Sequence, residues 1–372
     1  MNLVDVKIKN RNKVYRLVYH AKQISKPEIA AQLEMSLPTV SQCVNELKKL
    51  GLAEEQGFFA STGGRKAAMI ASVSDTKIAI GVNIQQDHVA LAAVNLYGVP
   101  LLKREYACDF ENSDVYFVRL GNQITNFFVD LNITKDRLLG VGIAVQGIVN
   151  NRGTQVNYAK ILNTNEFHLE QIQRYVPFTC ILQHDANAQA YDAAKRCGIQ
   201  RDAVYISLNT HVGGAMILDN QMRYGEDGFP GGLVEHMILM PDGRPCYCGK
   251  KGCFEAYCSE SALLKDTGVT LEEFIPRARG GEEPFAQKWT EFLKYLALTV
   301  YNLHVLLDVP VILGGHIANY MNEEDVEALK CAVMEQSNII AKPPVVLLST
   351  NDDGAVGSAM YYIDNFLAEF EF

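Results

Sequence analysis

Apolar positions in the first fifty residues recur at three- and four-residue steps and predict three helices. Val14, Leu17 and Val18 share one stripe of the first. The second begins at Ser25-Lys26-Pro27-Glu28, where Ser25 caps and Glu28 completes a capping box; Ile29, Ala30 and Leu33 then face inward. A turn through Glu34 and Met35 leads to Ser36-Leu37-Pro38-Thr39, a second cap with proline in the first turn. Val40, Cys43, Val44, Leu47 and Leu50 form the buried stripe of the third helix, which Gly51 stops. Its other face reads Thr39, Ser41, Gln42, Asn45, Lys48 and Lys49. Short polar groups there suit base edges and the lysines suit phosphates, as a recognition helix requires. Two short strands follow, residues 52–59 and 67–70, around Ser61-Thr62-Gly63-Gly64-Arg65-Lys66. The two glycines predict a tight turn with Arg65 and Lys66 at its tip, the wing of a winged helix-turn-helix. The alternative is a small helical domain with a solvated polar face.

From Lys77 the texture becomes α/β. Strands are expected at 77–84, 88–95, 99–106, 138–145 and 180–183, with helices at 115–131 and 186–197. The order then restarts. Strands at 203–208 and 214–219 precede a Gly-rich insertion. Helices follow near 284–306 and 323–337, strands at 309–313 and 345–348, and a last helix from about 354 to 366. Two successive βββαβ-like halves predict a duplicated body with a cleft between its lobes.

The 372 residues leave room for two or three domains. Hydrophobic residues at 48% and charged residues at 21% exclude a long disordered or fibrous chain. No apolar run reaches the length of a membrane span, and the N-terminus lacks an apolar signal core, so a cytoplasmic chain is expected. The net charge of −9 is divided unevenly: residues 1–70 hold eleven Lys or Arg against six Asp or Glu, and the remainder 23 against 37. A basic head on an acidic body suggests that the head alone meets a polyanion.

Nine cysteines in such a chain are thiols or metal ligands before they are disulfides. His236, Cys246, Cys248 and Cys253 fall within eighteen residues, and Gly249 and Gly252 let the backbone fold between them. One imidazole and three thiolates suit tetrahedral zinc, and four protein ligands leave no open position, so a structural ion is expected. The alternative is three buried thiols and an unrelated histidine.

The sequence resembles the ROK family of bacterial repressors and sugar kinases over essentially its whole length. The family's zinc motif stands here as His236, Cys246, Cys248, Gly249, Gly252, Cys253 and Glu255. The resemblance implies the repressor branch's winged helix-turn-helix over residues 1–72. It also implies a two-lobed, actin-like (sugar kinase/ribonuclease H-like) α/β body with sugar in the cleft. The lobes would span 76–185 and 186–350, the second holding the zinc motif, with 351–372 returning to the first.

Three kinase phosphate loops depart from the family pattern. Asp-x-Gly-Gly-Thr is replaced by Asn83-Ile84-Gln85-Gln86-Asp87, Gly-Thr-Gly-x-Gly by Asn209-Thr210-His211-Val212-Gly213, and Gly-Gly-Gly by Gly314-Gly315-His316. A Cβ in such a loop blocks the approach of phosphate to backbone amides, so kinase activity is expected to be lost. The kinase base motif reads Gln183-His184-Asp185-Ala186-Asn187, with Asp185 matching the base and His184 replacing an asparagine.

By resemblance, Gly147, His184, Asp185, His236 and Glu255 are the candidate sugar contacts, whereas the family's sugar-binding Glu is Leu233 here. Glu235 lies two positions away. A different sugar, a sugar derivative or an empty cleft all fit these residues. The expected function is a homodimeric or homotetrameric transcriptional repressor that binds a palindromic double-stranded operator under control of a sugar-type effector. A sugar kinase with an appended head and an effector-free DNA-binding scaffold are the rivals.

Overall fold

In the computed structural model, residues 3–58, 68–199, 201–219, 221–225, 231–336 and 341–370 are described. The head holds α1 (Leu3–Ala21), β1 (Gln23–Ser25), α2 (Lys26–Gln32), α3 (Leu37–Lys49), β2 (Ala53–Phe58) and β3 (Ala68–Ser72). Both expected caps form. The Ser25 hydroxyl accepts the Glu28 N–H at 3.3 Å while the Glu28 carboxylate accepts the Ser25 N–H at 2.9 Å. The Ser36 hydroxyl accepts the Thr39 N–H at 3.3 Å. Val40, Cys43, Val44 and Leu47 are buried, with Val14, Val18 and Ile29 in the same core, whereas Leu50, expected in the same stripe, is 50% exposed at the helix end. β2 and β3 pair antiparallel, and β1, which the hydrophobic pattern did not reveal, adds to the other edge of β3. The tip of this hairpin, with Arg65 and Lys66, lies outside the described residues.

The body contains two five-stranded sheets of one topology. The first half comprises β4 (Ile78–Ile84), β5 (His88–Asn95), β6 (Pro100–Ala107), α4 (Asp114–Asp130) and β7 (Leu138–Val145), then a small sheet of β8 (Ile148–Val149), β9 (Gln155–Tyr158) and β10 (Phe167–His168). It closes with α5 (Leu169–Gln173), β11 (Cys180–His184) and α6 (Asp185–Arg196). The second half runs β12 (Ala203–Leu208), β13 (Val212–Leu218), β14 (Gln221–Met222), α7 (Glu255–Cys258), α8 (Glu260–Leu263), α9 (Leu271–Arg279) and α10 (Phe285–Leu307). It ends with β15 (Val311–Gly314), α11 (Glu323–Glu335), β16 (Val346–Leu348) and α12 (Gly354–Ala368).

The strand orders are β6-β5-β4-β7-β11 and β14-β13-β12-β15-β16. In each, the first strand of the half is central, antiparallel to the second and parallel to the fourth. Every residue of β4 and β12 is buried, as a strand covered on both faces requires. The expected duplication is therefore present, each half continuing past the βββαβ pattern with a helix, a fifth sheet strand and a closing helix.

The last helix of each half packs on the other half's sheet. α12 lies on β4, β5 and β7, and α6 lies on β12 and β13; the two helices also pack on each other. Their crossing is close enough that a Cβ on Gly357 would overlap the Ala188 carbonyl. Gly81 and Gly142 likewise leave room on the first sheet for the α12 backbone. Ser358 of α12 donates to carbonyls of both strands, Val82 and Gly142. Among the described residues no helix is long and apolar enough to cross a membrane.

Candidate functional site

Three groups of residues carry chemistry, one on the head and two adjoining ones in the body. On the head, α3 presents Gln42, Asn45 and Lys48 to solvent, with Thr39 and Ser41 half-buried at its start. Thr39 Oγ1 lies 2.8 Å from the Ser36 hydroxyl, Gln42 donates to Glu46 at 3.3 Å, and Lys48 reaches Glu55 at 3.5 Å. These contacts are exposed and weak, so a competing partner displaces them readily.

The second group lines a cavity between the lobes. It is a partly open cleft with about 70 Å³ of free space for water-sized guests. Gly147, His184, Asp185 and His236 line it, so four of the five expected contacts converge. Glu255 stands behind the wall. Its Oε1 lies 2.8 Å from His211 Nδ1, and its Oε2 accepts the Val212 N–H at 2.6 Å, so it positions the His211 ring that does line the cavity. Burial lowers the pKa of His184 and raises that of Asp185; the two side chains approach to 3.4 Å.

Glu235, Asn209, His211, Lys160, Tyr158 and Tyr247 also line this cavity; motif comparison placed Asn209 and His211 in a phosphate loop and noted Glu235, but counted none of the six among the sugar contacts. Glu235 is 4% exposed; burial pushes its carboxyl up to about 8, with Asp185 and Glu255 adding repulsion. The hydrophobic pattern gave no sign of Glu235, because a single turn at Val234–His236 turns both Leu233 and Glu235 to the cavity.

The third group abuts the second. The ligand atoms of His236, Cys246, Cys248 and Cys253 all lie within 4.8 Å of one another. Cys248 Sγ and Cys253 Sγ are 3.8 Å apart, and His236 Nδ1 is 3.9 Å from Cys246 Sγ. Zinc–sulfur bonds of about 2.3 Å at tetrahedral angles put sulfurs about 3.8 Å apart, the separation these two donor pairs show. Gly249 and Gly252 adopt positive φ of 88° and 79°, and a Cβ on Gly252 would overlap the Met240 carbonyl. The His236 ring faces the thiols through Nδ1 and also lines the cavity, joining the two sites.

At the three altered phosphate loops polar side chains stand where the family pattern has glycine. Gln85 to His88 close a tight turn between β4 and β5, with the Gln85 N–H on the His88 carbonyl at 3.0 Å and Asp87 exposed. Asn209 Oδ1 accepts the His316 N–H at 2.6 Å, and His316 Nδ1 lies 2.7 Å from Glu260.

Comparison with known proteins agrees with this architecture. The xylose repressor of Bacillus spizizenii is 25% identical over 375 residues, covering 97% of this chain and 90% of that protein. A solved ROK family transcriptional regulator, a homologue of Escherichia coli Mlc, superposes with a TM-score of 0.78 at 18% identity, covering 98% of this chain and 97% of its own. A ROK family glucokinase from Streptomyces griseus, solved with glucose and AMPPNP, gives a TM-score of 0.64 at 21% identity over 76% of this chain and 98% of its own. The ROK family model matches residues 79–365, from the second residue of β4 into α12, and the chain belongs to that family.

Proposed function

We propose that the protein is a DNA-binding transcriptional repressor whose operator affinity is set by a sugar or sugar derivative in the interlobe cavity. The observation that carries this reading is the exposed polar face of α3, mounted on a helix-turn-helix that is joined to a body with a polar cavity between its lobes. Residues 1–72 form the DNA-binding unit, 76–185 and 186–350 the two lobes, and 351–372 the return to the first lobe. Thr39, Ser41, Gln42 and Asn45 meet base edges, and Lys48, Arg65 and Lys66 meet phosphate. Two copies in a homodimer, or four in a tetramer, set recognition helices about one DNA turn apart.

In the cavity Gly147, His184, Asp185 and His236 contact the effector, and Glu255 holds His211 toward it. The likeness to a repressor named for xylose supports an aldose as the effector class. His236, Cys246, Cys248 and Cys253 hold one structural zinc ion, which fixes the His236 ring where it borders the cavity. Phosphoryl transfer from ATP is absent, because side chains replace glycine in the loops where bare amides would meet phosphate. Incubation with ATP and hexoses is expected to yield no sugar phosphate.

The decisive test is selection of bound sequences from random duplex DNA, followed by titration of the selected site with and without sugars. Asn45→Ala is expected to weaken the selected site by about tenfold or more, a discrimination of 1–3 kcal/mol, and to leave random DNA nearly unaffected. Equal loss on both DNAs would remove α3 from sequence recognition, and failure to select any sequence would remove the repressor reading.

A further inference from the structure

A helix on the surface of a globular domain buries its apolar stripe and turns charge toward water. The outer face of α11 does so, with Glu323, Glu324, Glu327 and Glu335 exposed. α4 does not. Its inner side, Tyr116, Phe117, Leu120, Ile124 and Phe127, is buried in the core of the first half. The middle of its outer face reads Val115, Val118, Asn122, Asn126 and Val129, and the three valines are 70%, 40% and 67% exposed. At about 3.6 residues per turn these five positions share an arc about 80° wide and about four turns long. The charged residues of α4, Asp114, Arg119 and Asp130, fall outside that arc. Exposed apolar residues are ordinary when scattered singly, whereas a contiguous stripe marks a contact surface. Val6 and Ile8 of α1 and Val305 and Leu306 of α10 are also exposed, but each pair sits at one end of its helix.

The stripe on α4 is symmetric about its centre. Val118 and Asn126 lie four residues to either side of Asn122, and Val115 and Val129 lie seven. A two-fold axis at Asn122 that lays α4 antiparallel on a copy of itself therefore sets Val115 beside Val129 of the second copy and Val118 beside Asn126 of the second copy. Asn122 meets its own counterpart, and the two amides can each donate to the other's carbonyl.

The flanking charges suit the same arrangement. Arg119 and Asp130 lie on one side of the stripe, and the rotation brings Arg119 to about 7.5 Å along the seam from Asp130 of the second copy, within reach of its side chain. Arg119 has no carboxylate partner among the described residues and donates to Cys108 Sγ at 3.2 Å. Asp130 has only Arg104, at 4.0 Å. Asp114, on the other side, stands 3.9 Å from Arg174, so no bare carboxylate is left at either end of the seam.

We infer that the outer face of α4 is a self-association surface, on which a second copy of this chain docks antiparallel with Asn122 on the two-fold axis. The inference supplies a contact surface for the paired copies of the repressor reading, and rests on that reading only for its use.

The test is sedimentation equilibrium of the full chain and of two variants at the centre of the seam, with neither DNA nor sugar present. Asn122→Asp sets two carboxylates face to face and Asn122→Lys two ammonium groups, at an exposed position where the fold is not at stake. Each variant alone is expected to raise the dissociation constant of one association step by about tenfold or more. An equimolar mixture of the two should restore association to the wild-type level or beyond, because opposite charges then meet on the axis. A wild-type chain that stays monomeric through the micromolar range overturns the proposal. So does a chain whose association neither substitution changes, or one weakened by both substitutions but not rescued by mixing. Since no DNA enters these measurements, they can fail while an operator is still selected, and an operator search can fail while the seam holds.

Discussion

At the scale of single residues, the His236–Cys253 cluster and the cavity wall differ in how far sequence exposes them. The four donors sit in one short segment with glycines at its turns, so spacing alone marks them, and the fold brings their atoms within 4.8 Å. Glu235 and His211 gain meaning only through tertiary contacts, from a single turn and from Glu255 across a gap of 44 residues. No periodicity carries that signal. Burial pushes the Cys246 thiol up to about 12, so the thiolate forms there only with a metal to stabilise it. Metal binding therefore releases protons, and affinity falls as pH falls because protons compete for the ligands. Zinc is expected at one ion per chain near pH 8, with progressive loss toward pH 5. Cys248→Ser should lose the ion at neutral pH by elemental analysis. Stoichiometric zinc retained by that variant would refute the four-ligand set.

Whole elements were legible where local chemistry decides them. α2 and α3 carry their own caps and stripes, and the all-buried strands β4 and β12 read as apolar runs. β1 and β8–β10 were not legible, since strands of two to four residues exist only because a partner strand is near. α9 has Pro276 inside it, which breaks the helical signal, and packing against α10 holds it in place. The crossing of α6 and α12 is likewise absent from any local pattern, yet it binds the two halves together. Gly→Ala in a helix interior ordinarily stabilises by about 0.5–1 kcal/mol. At Gly357 the added methyl meets the Ala188 carbonyl, a backbone group with no rotamer to yield. Gly357→Ala is therefore expected to destabilise by about 1–3 kcal/mol in urea unfolding. Unchanged or increased stability would mean that the helices separate at no cost and that the crossing does not clamp the halves.

On the scale of the whole molecule, that crossing lies on a continuous packed route from cavity to head. Asp185 begins α6 in the cavity wall, and α6 meets α12 at Ala188 and Gly357. Beyond α12, the Phe370 ring packs on Tyr15 of α1 at 4.6 Å, and the Glu369 carbonyl accepts the Asn12 amide at 2.9 Å. α1 in turn packs on α3, the element proposed to meet DNA. A second joint lies alongside, where Tyr19 stacks on Tyr97 at 4.8 Å and donates to the Leu96 carbonyl. The head therefore shares one hydrophobic core with α12 and one face of β5, so lobe movement cannot leave it behind. A sugar that changes the lobe angle would change operator affinity by a coupling of about 1–3 kcal/mol, and operator would change sugar affinity by the same factor. Phe370→Ala removes the larger ring contact without touching either binding surface. It is expected to leave each ligand's separate affinity within about threefold while the coupling factor falls toward one. Operator titrations in saturating and zero sugar measure that factor directly. Full coupling in the variant would place the transmission elsewhere, with the Tyr19–Tyr97 joint the next contact to cut.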